Sequence, residues 1–180
     1  EIVANLHHMP DKIVSRFGAD INYSREKELL GTAGGIKKVQ AFFEDETFVV
    51  INGDILIDID LKQVLSYHRE KKSVLTLVVR QDEQPARFEA IEIDGQGRII
   101  RFPHSKTAAL EGRGTHVMFT GVQIIEPEIY ARIPANGFCG TTEDIYPHMI
   151  DEGLPVYGFL HQGHWRDMGN REDYLLAHED

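Results

Sequence analysis

Apolar residues fall along this chain in short blocks, and the spacing inside each block says which element it builds. Ile2, Val3 and Ala4 read as the end of a strand, residues 10–17 as a helix begun at Pro10 or Asp11, and residues 20–23 as a short strand. Residues 34–43 carry Ile36, Val39 and Phe43 on one helical face. Thr-Phe-Val-Val-Ile at 47–51 is a continuous apolar, β-branched run, the pattern of a strand covered on both faces in a parallel sheet. Asp60 opens the next helix with Gln63 placed for a capping box, and Leu61, Val64, Leu65 and His68 mark its buried stripe. Residues 74–79 form another apolar strand. Strands and helices alternating in this way predict an α/β fold with a mainly parallel sheet.

The second half has a different texture. Residues 90–93 and 98–102 flank Asp-Gly-Gln-Gly, a hairpin signal. Residues 104–114 read as a polar loop, 118–125 as a strand and 127–133 as a short helix. Residues 144–152 predict a helix stopped by Gly153, with Pro147 tolerable only in its first turn. Residues 156–160 read as a strand and 171–179 as a closing helix capped by Asn170.

Composition narrows the function classes. The 180 residues suit one domain, and no apolar run approaches the roughly 18 residues a membrane span needs. No charged segment precedes an apolar stretch in the manner of a signal peptide. The single cysteine, Cys139, excludes an internal disulfide framework and fits a reducing cytosol, so a cytoplasmic location is expected. A formal net charge of −10 disfavours nucleic acid as a partner, because phosphate neutralisation needs a basic surface. A small phosphorylated ligand stays open, since a divalent cation inverts the local electrostatics of a carboxylate site.

Four stretches could carry chemistry. Asn52-Gly53-Asp54 follows the 47–51 strand, where ligands bind in open parallel sheets, and a carboxylate there suits a hard cation such as magnesium. A plain strand-to-loop turn would use the same residues. Leu30-Gly-Thr-Ala-Gly-Gly35 precedes a helix and would let a ligand approach the backbone and unpaired amides, or Thr32 could simply cap the helix. In His164-Trp-Arg-Asp-Met-Gly169, Asp167 could be a second metal ligand converging with Asp54, or the stretch could be a surface turn. A zinc site from His161, His164 and Asp167 is a weaker reading, because that spacing fits ligands on a helix. Glu143-Asp144 either complements a helix dipole or offers Glu143 to sugar hydroxyls.

Taken in order, Tyr23-Ser-Arg-Glu-Lys-Glu-Leu-Leu-Gly-Thr-Ala-Gly-Gly35, Val50-Ile-Asn-Gly-Asp54, Phe119-Thr-Gly-Val122, Thr142-Glu-Asp144 and Trp165-Arg-Asp-Met-Gly169 resemble the sugar-1-phosphate nucleotidyltransferase family. The resemblance spans nearly the whole chain and leans towards the mannose-1-phosphate guanylyltransferases. It implies a doubly wound, Rossmann-like, mainly parallel mixed sheet with helices on both faces. It divides the single domain, 1–180, into a nucleotide-binding half (1–80) and a sugar-binding half (81–180). The implied reaction joins a sugar-1-phosphate to a nucleoside triphosphate with loss of pyrophosphate. Asp54 and Asp167 match the magnesium ligands and Leu30, Gly31, Thr32 and Gly53 the nucleotide contacts, while Gly121 and Glu143 match sugar contacts.

Three departures accompany the match, one of them a connection around Ser15 to Gly18 shorter than the family's. The family's opening Gly-rich loop with Arg and Lys has no counterpart in these residues, so the chain alone is expected to be inactive, and to self-associate or pair with a complementing segment. His104-Ser105-Lys106 stands where the family often has Glu-Lys-Pro, which makes Lys106 a candidate for the corresponding sugar-phosphate lysine. Two other functions stay open. One is a noncatalytic nucleotide-sugar-binding sensor or scaffold subunit. The other is a metal-dependent glycosyltransferase using Asp58-Ile-Asp60, ranked lower because Asp60 reads as a helix cap.

Overall fold

The computed structural model of the chain describes residues 1–81, 91–106 and 114–179. They divide into two units, Glu1–Glu46 with Pro127–Tyr146 and Thr47–Glu126 with Pro147–Asp180.

In the first unit, β1 (Val3–Leu6) and β2 (Asn22–Arg25) pair in parallel, and α1 (Pro10–Phe17) connects them. Pro10 sits at the helix start, where its missing N–H removes no helical bond. The predicted 34–43 helix is two helices, α2 (Gly31–Lys38) and α3 (Gln40–Phe43). Val39 between them leaves helical geometry, with φ −99° and ψ 14°, a break that apolar periodicity alone does not register. Ala33, Gly34, Gly35 and Ile36 bury one side of α2. A 3-10 helix (Pro127–Ala131) and a π-helical turn (Thr141–Ile145) complete this unit. The π turn occupies the start of the predicted 144–152 helix, whose regular part is α5 (Tyr146–Asp151).

The second unit contains β3 (Phe48–Ile51), β4 (Ile55–Ile57), α4 (Leu61–Glu70), β5 (Leu75–Gln81), β6 (Ile91–Ile93), β7 (Ile99–Arg101), β8 (Thr115–Ile125), β9 (Val156–Leu160), β10 (Trp165–Asp167) and α6 (Arg171–Leu176). Six of its strands form one sheet in the order β7-β6-β8-β5-β9, with β3 also paired to β8. The strands β3, β5, β6 and β9 run one way, and β7 and β8 the other. The α/β reading therefore holds with a mixed sheet, and the 47–51 run pairs antiparallel, with β8, rather than with a parallel neighbour. The predicted hairpin is β6–β7, whose turn is tied by Asp94 Oδ1 accepting from the Gln96 and Arg98 amides at 2.8 and 2.9 Å. Of the predicted 104–114 loop, residues 107–113 lie outside the described residues.

Strand β8 organises this sheet. Along one edge it pairs with β5; along the other it pairs with β6 at residues 115–117 and with β3 at residues 122–125. The register breaks between the two stretches: Leu77 pairs with Gln123 but Val79 with Phe119. Extra β8 residues bulge there, and Gly121 carries φ +88°.

Helix α4 covers the sheet. Asp60 caps it by accepting from the Lys62 amide at 2.9 Å, and Val64 and His68 are its buried residues. Val64, Val78, Val122 and Ile124 are fully buried together, with Ile55 and Ile57 of β4 packed against them. His68 is satisfied by Thr76 Oγ1 at 2.8 Å and Glu126 Oε1 at 2.9 Å, so this buried histidine costs no open hydrogen bond.

Ile124→Ala is expected to lower unfolding free energy by about 2–5 kcal/mol in urea titration, because a fully buried side chain leaves a cavity. Leu56→Ala, on an exposed side chain, is expected to change it by about 0.5 kcal/mol or less.

Candidate functional site

The 52–54 turn and the 165–169 segment meet on a small ribbon in the second unit. Strand β4 leaves the turn and pairs antiparallel with β10, Ile55 opposite Asp167 and Ile57 opposite Trp165. The Met168 amide donates to the Asp54 carbonyl at 2.8 Å, which brings the backbones of the two aspartate segments together at one end of the ribbon. Asp54 is exposed, and Asp167 is half-buried with Oδ1 accepting from the Gly169 amide at 2.9 Å.

The bulge of β8 adjoins the same segments. The Asn52 amide donates to the Gly121 carbonyl at 2.9 Å, and a β-carbon on Gly121 would stand 3.0 Å from the Asn52 side chain. Its positive φ and this close approach both require glycine. The Trp165 indole N–H donates to the Thr120 carbonyl at 2.8 Å, and Thr120 Oγ1 donates to the Val78 carbonyl at 2.8 Å. Asn52, Asp54, Gly121 and Asp167 thus belong to one connected constellation. Gly53 lies in the turn with open space where a β-carbon would be.

In the first unit, the Leu30–Gly35 stretch is shaped by the segment around Cys139. The Cys139 amide donates to the Leu30 carbonyl at 2.9 Å, and the Cys139 carbonyl accepts from Ala33 and Gly34 at 3.0 and 3.2 Å. Two α2 amides expected to be open to a ligand are therefore capped from within the chain. Thr32 is not the cap either: Leu30 holds that position, and Thr32 Oγ1 accepts from the Thr141 amide at 2.8 Å. Gly31 has φ +74°, and a β-carbon there would meet the Cys139 carbonyl oxygen at 2.5 Å. Glu26, buried just upstream, accepts from Asn5 Nδ2 and the Leu30 amide at 3.3 Å each.

The π turn displays Glu143 on an exposed position, its carboxylate lying over Gly140. Asp144 caps the turn by accepting from the Gly140 amide at 2.7 Å. Burial pushes the Cys139 thiol up, and the negative charges of Asp144 and Glu143 add to it, so this cysteine is kept as a neutral thiol.

The remaining candidates lie elsewhere in the second unit. Lys106 is exposed, and its amide donates to Asp151 Oδ2 of α5 at 3.0 Å. Asp60 serves as the α4 cap, and Asp58 Oδ1 pairs with His161 Nε2 at 3.1 Å. Both carboxylates of the Asp-Ile-Asp stretch thus have structural partners. His161 Nε2 also faces the His164 carbonyl at 3.2 Å, so its N–H points at oxygen acceptors, contrary to the zinc reading. Among the described residues no three or more His, Cys, Asp or Glu side chains gather in a way that could hold a metal ion by themselves. Magnesium does not need such a cage: it keeps several waters and binds through one or two carboxylates plus substrate phosphates. The hard-oxygen donors of Asp54 and Asp167 fit that pattern.

Sequence reasoning named Asn52 without giving it a role of its own, and missed Thr120 and the Cys139 carbonyl. Two of these act through backbone carbonyls, which leave no side-chain signature. Asn52 had one in the Asn-Gly pair, read only as turn chemistry.

The fold is shared with solved structures. HddC from Yersinia pseudotuberculosis superposes with TM-score 0.79 at 24% identity, covering 99% of this chain and 77% of that one. A putative glucose-1-phosphate thymidylyltransferase from Bacillus anthracis superposes with TM-score 0.78 at 19% identity, covering 99% and 75%. Residues 7–180 match the family model described as nucleotidyl transferase, and the chain belongs to that family. It is 35% identical to a UTP–glucose-1-phosphate uridylyltransferase of Synechocystis sp. over 98% of its own length and 50% of the relative's. It is 31% identical to a mannose-1-phosphate guanylyltransferase of Mycobacterium tuberculosis over 92% and 45%. The chain spans about half the length of the curated relatives it matches.

Gly31→Ala is expected to destabilise the protein by about 2 kcal/mol or more, through left-handed strain and the clash with Cys139. Thermal unfolding of the variant checks this, and an unchanged midpoint would mean that the Cys139 segment is not fixed against α2.

Proposed function

We propose that this chain supplies the metal-binding and sugar-facing elements for nucleotidyl transfer from a nucleoside triphosphate to a sugar-1-phosphate. A phosphate oxygen of the sugar-1-phosphate attacks the α-phosphorus, the new P–O bond forms, and the bond to the bridging oxygen breaks as pyrophosphate leaves. The observation that carries the reading is the ribbon on which Asp54 and Asp167 share one end beside Gly121.

Asp54 and Asp167 would hold magnesium, which supplies neutralisation of the crowded phosphate charge. With a formal charge of −10, the protein otherwise repels a triphosphate, and the 180 residues by themselves are expected to be inactive. Leu30, Gly31, Thr32 and Gly53 are assigned to the nucleotide. The internally capped α2 start suits contact with a neutral base better than with phosphate. Gly121 and Glu143 are assigned to the sugar, Glu143 as an acceptor for its hydroxyls, and Lys106 to its phosphate. Contributions of this kind are mostly positioning and electrostatic.

A pyrophosphate-release assay tests the reading, run on the enzyme as its natural gene produces it, with magnesium and panels of nucleoside triphosphates and sugar-1-phosphates. The panel includes GTP with mannose-1-phosphate and UTP with glucose-1-phosphate, the pairs suggested by the relatives' names. Turnover is expected to fall about 10²-fold or more in Asp54→Asn and in Asp167→Asn. Glu143→Ala is expected to raise the KM for sugar-1-phosphate much more than the KM for nucleotide. Equal changes in both KM values would remove Glu143 from the sugar site, and absence of pyrophosphate release from every pair would reject the reaction.

A further inference from the structure

Among the described residues, the ribbon β4–β10 is a sheet of its own, with three residue pairs and no ladder to the six-stranded sheet. A two-stranded ribbon is marginal in water, so something outside its ladder must hold it. Ile55 and Ile57 supply the apolar hold by packing on the core. Apolar contact fixes depth but tolerates sliding, whereas a hydrogen bond fixes register and orientation. One polar hold is the Trp165 indole N–H on the Thr120 carbonyl at 2.8 Å.

We propose that Trp165 is a positioning residue for the metal-binding carboxylates, its N–H locking the ribbon onto the bulge of β8. The proposal rests on the reading of Asp54 and Asp167 as magnesium ligands. Its anchor is rigid: Thr120 is 1% exposed and its own hydroxyl is fixed on Val78. Trp165 and Asp167 lie two residues apart on β10, so strand alternation puts them on the same face, and turning one turns the other. Arg80 braces the ring from β5, its guanidinium 5.8 Å from the ring centroid and Nη1 3.4 Å from the Trp165 carbonyl. A site built from two protein carboxylates has few internal constraints, so its metal affinity depends on how firmly those carboxylates are held.

Trp165 is the chain's single tryptophan, which permits an unusually clean test. Replacing tryptophan with benzothienylalanine during expression keeps the fused-ring shape and exchanges the N–H for sulfur, which cannot donate. Trp165→Phe removes the donor by ordinary mutation and leaves the Thr120 carbonyl without it. The 180-residue chain, both variants and Asp167→Asn are titrated with Mn²⁺ alone by electron paramagnetic resonance, and thermal midpoints are recorded alongside. The benzothienylalanine protein is expected to bind Mn²⁺ about tenfold more weakly, with its midpoint lowered by only a few degrees. Trp165→Phe is expected to weaken binding at least as much. Unchanged Mn²⁺ affinity in the benzothienylalanine protein overturns the proposal, whatever its midpoint, because a purely space-filling tryptophan would behave that way. If Asp167→Asn binds Mn²⁺ as well as the unaltered chain, the metal reading itself fails, and this proposal with it.

Discussion

The break in β8 at Gly121 is the constraint on which the second unit depends. Strand β8 pairs with β6 over residues 115–117 and with β3 over 122–125 along the same edge, and its register against β5 slips between the two stretches. Gly121 lies at that slip with φ +88°, and its carbonyl receives the Asn52 amide at 2.9 Å. The neighbouring Thr120 carbonyl receives the Trp165 indole at 2.8 Å. Two consecutive carbonyls of one bulge therefore hold the two segments that bear Asp54 and Asp167.

The first unit uses an analogous device. The backbone of Cys139 caps the start of α2, its carbonyl accepting from Ala33 and Gly34 and its amide donating to Leu30. The run of small residues that looked free to admit a ligand is instead consumed by close internal contact at Gly31. The neutral thiol of Cys139 fits this architectural role.

The elements with long, unambiguous patterns were legible from the sequence. The helix at 10–17 and the strand at 156–160 appear with those bounds, and Asn170 caps the last helix by accepting from the Asp173 amide at 2.9 Å. Strands β4 and β10 were not, because three residues of Ile-Leu-Ile or Trp-Arg-Asp carry too little alternation to separate a strand from a turn. Their pairing is non-local and becomes visible only in three dimensions. The same holds for the internal cap on α2, since a carbonyl exists at every residue and marks none. Asp54 and Asp167 could be nominated because each carries a charge in a recognisable setting, and the family resemblance linked them.

The central claim, that the shared end of the ribbon is a metal site for phosphoryl chemistry, is tested most directly by crystallography with Mn²⁺ and a nucleoside triphosphate. The account predicts an anomalous scattering peak about 2 Å from a carboxylate oxygen of Asp54 and of Asp167, in contact with the nucleotide's phosphates. A peak seated instead on Asp58 and His161, or nucleotide bound with no metal on either Asp54 or Asp167, would contradict it.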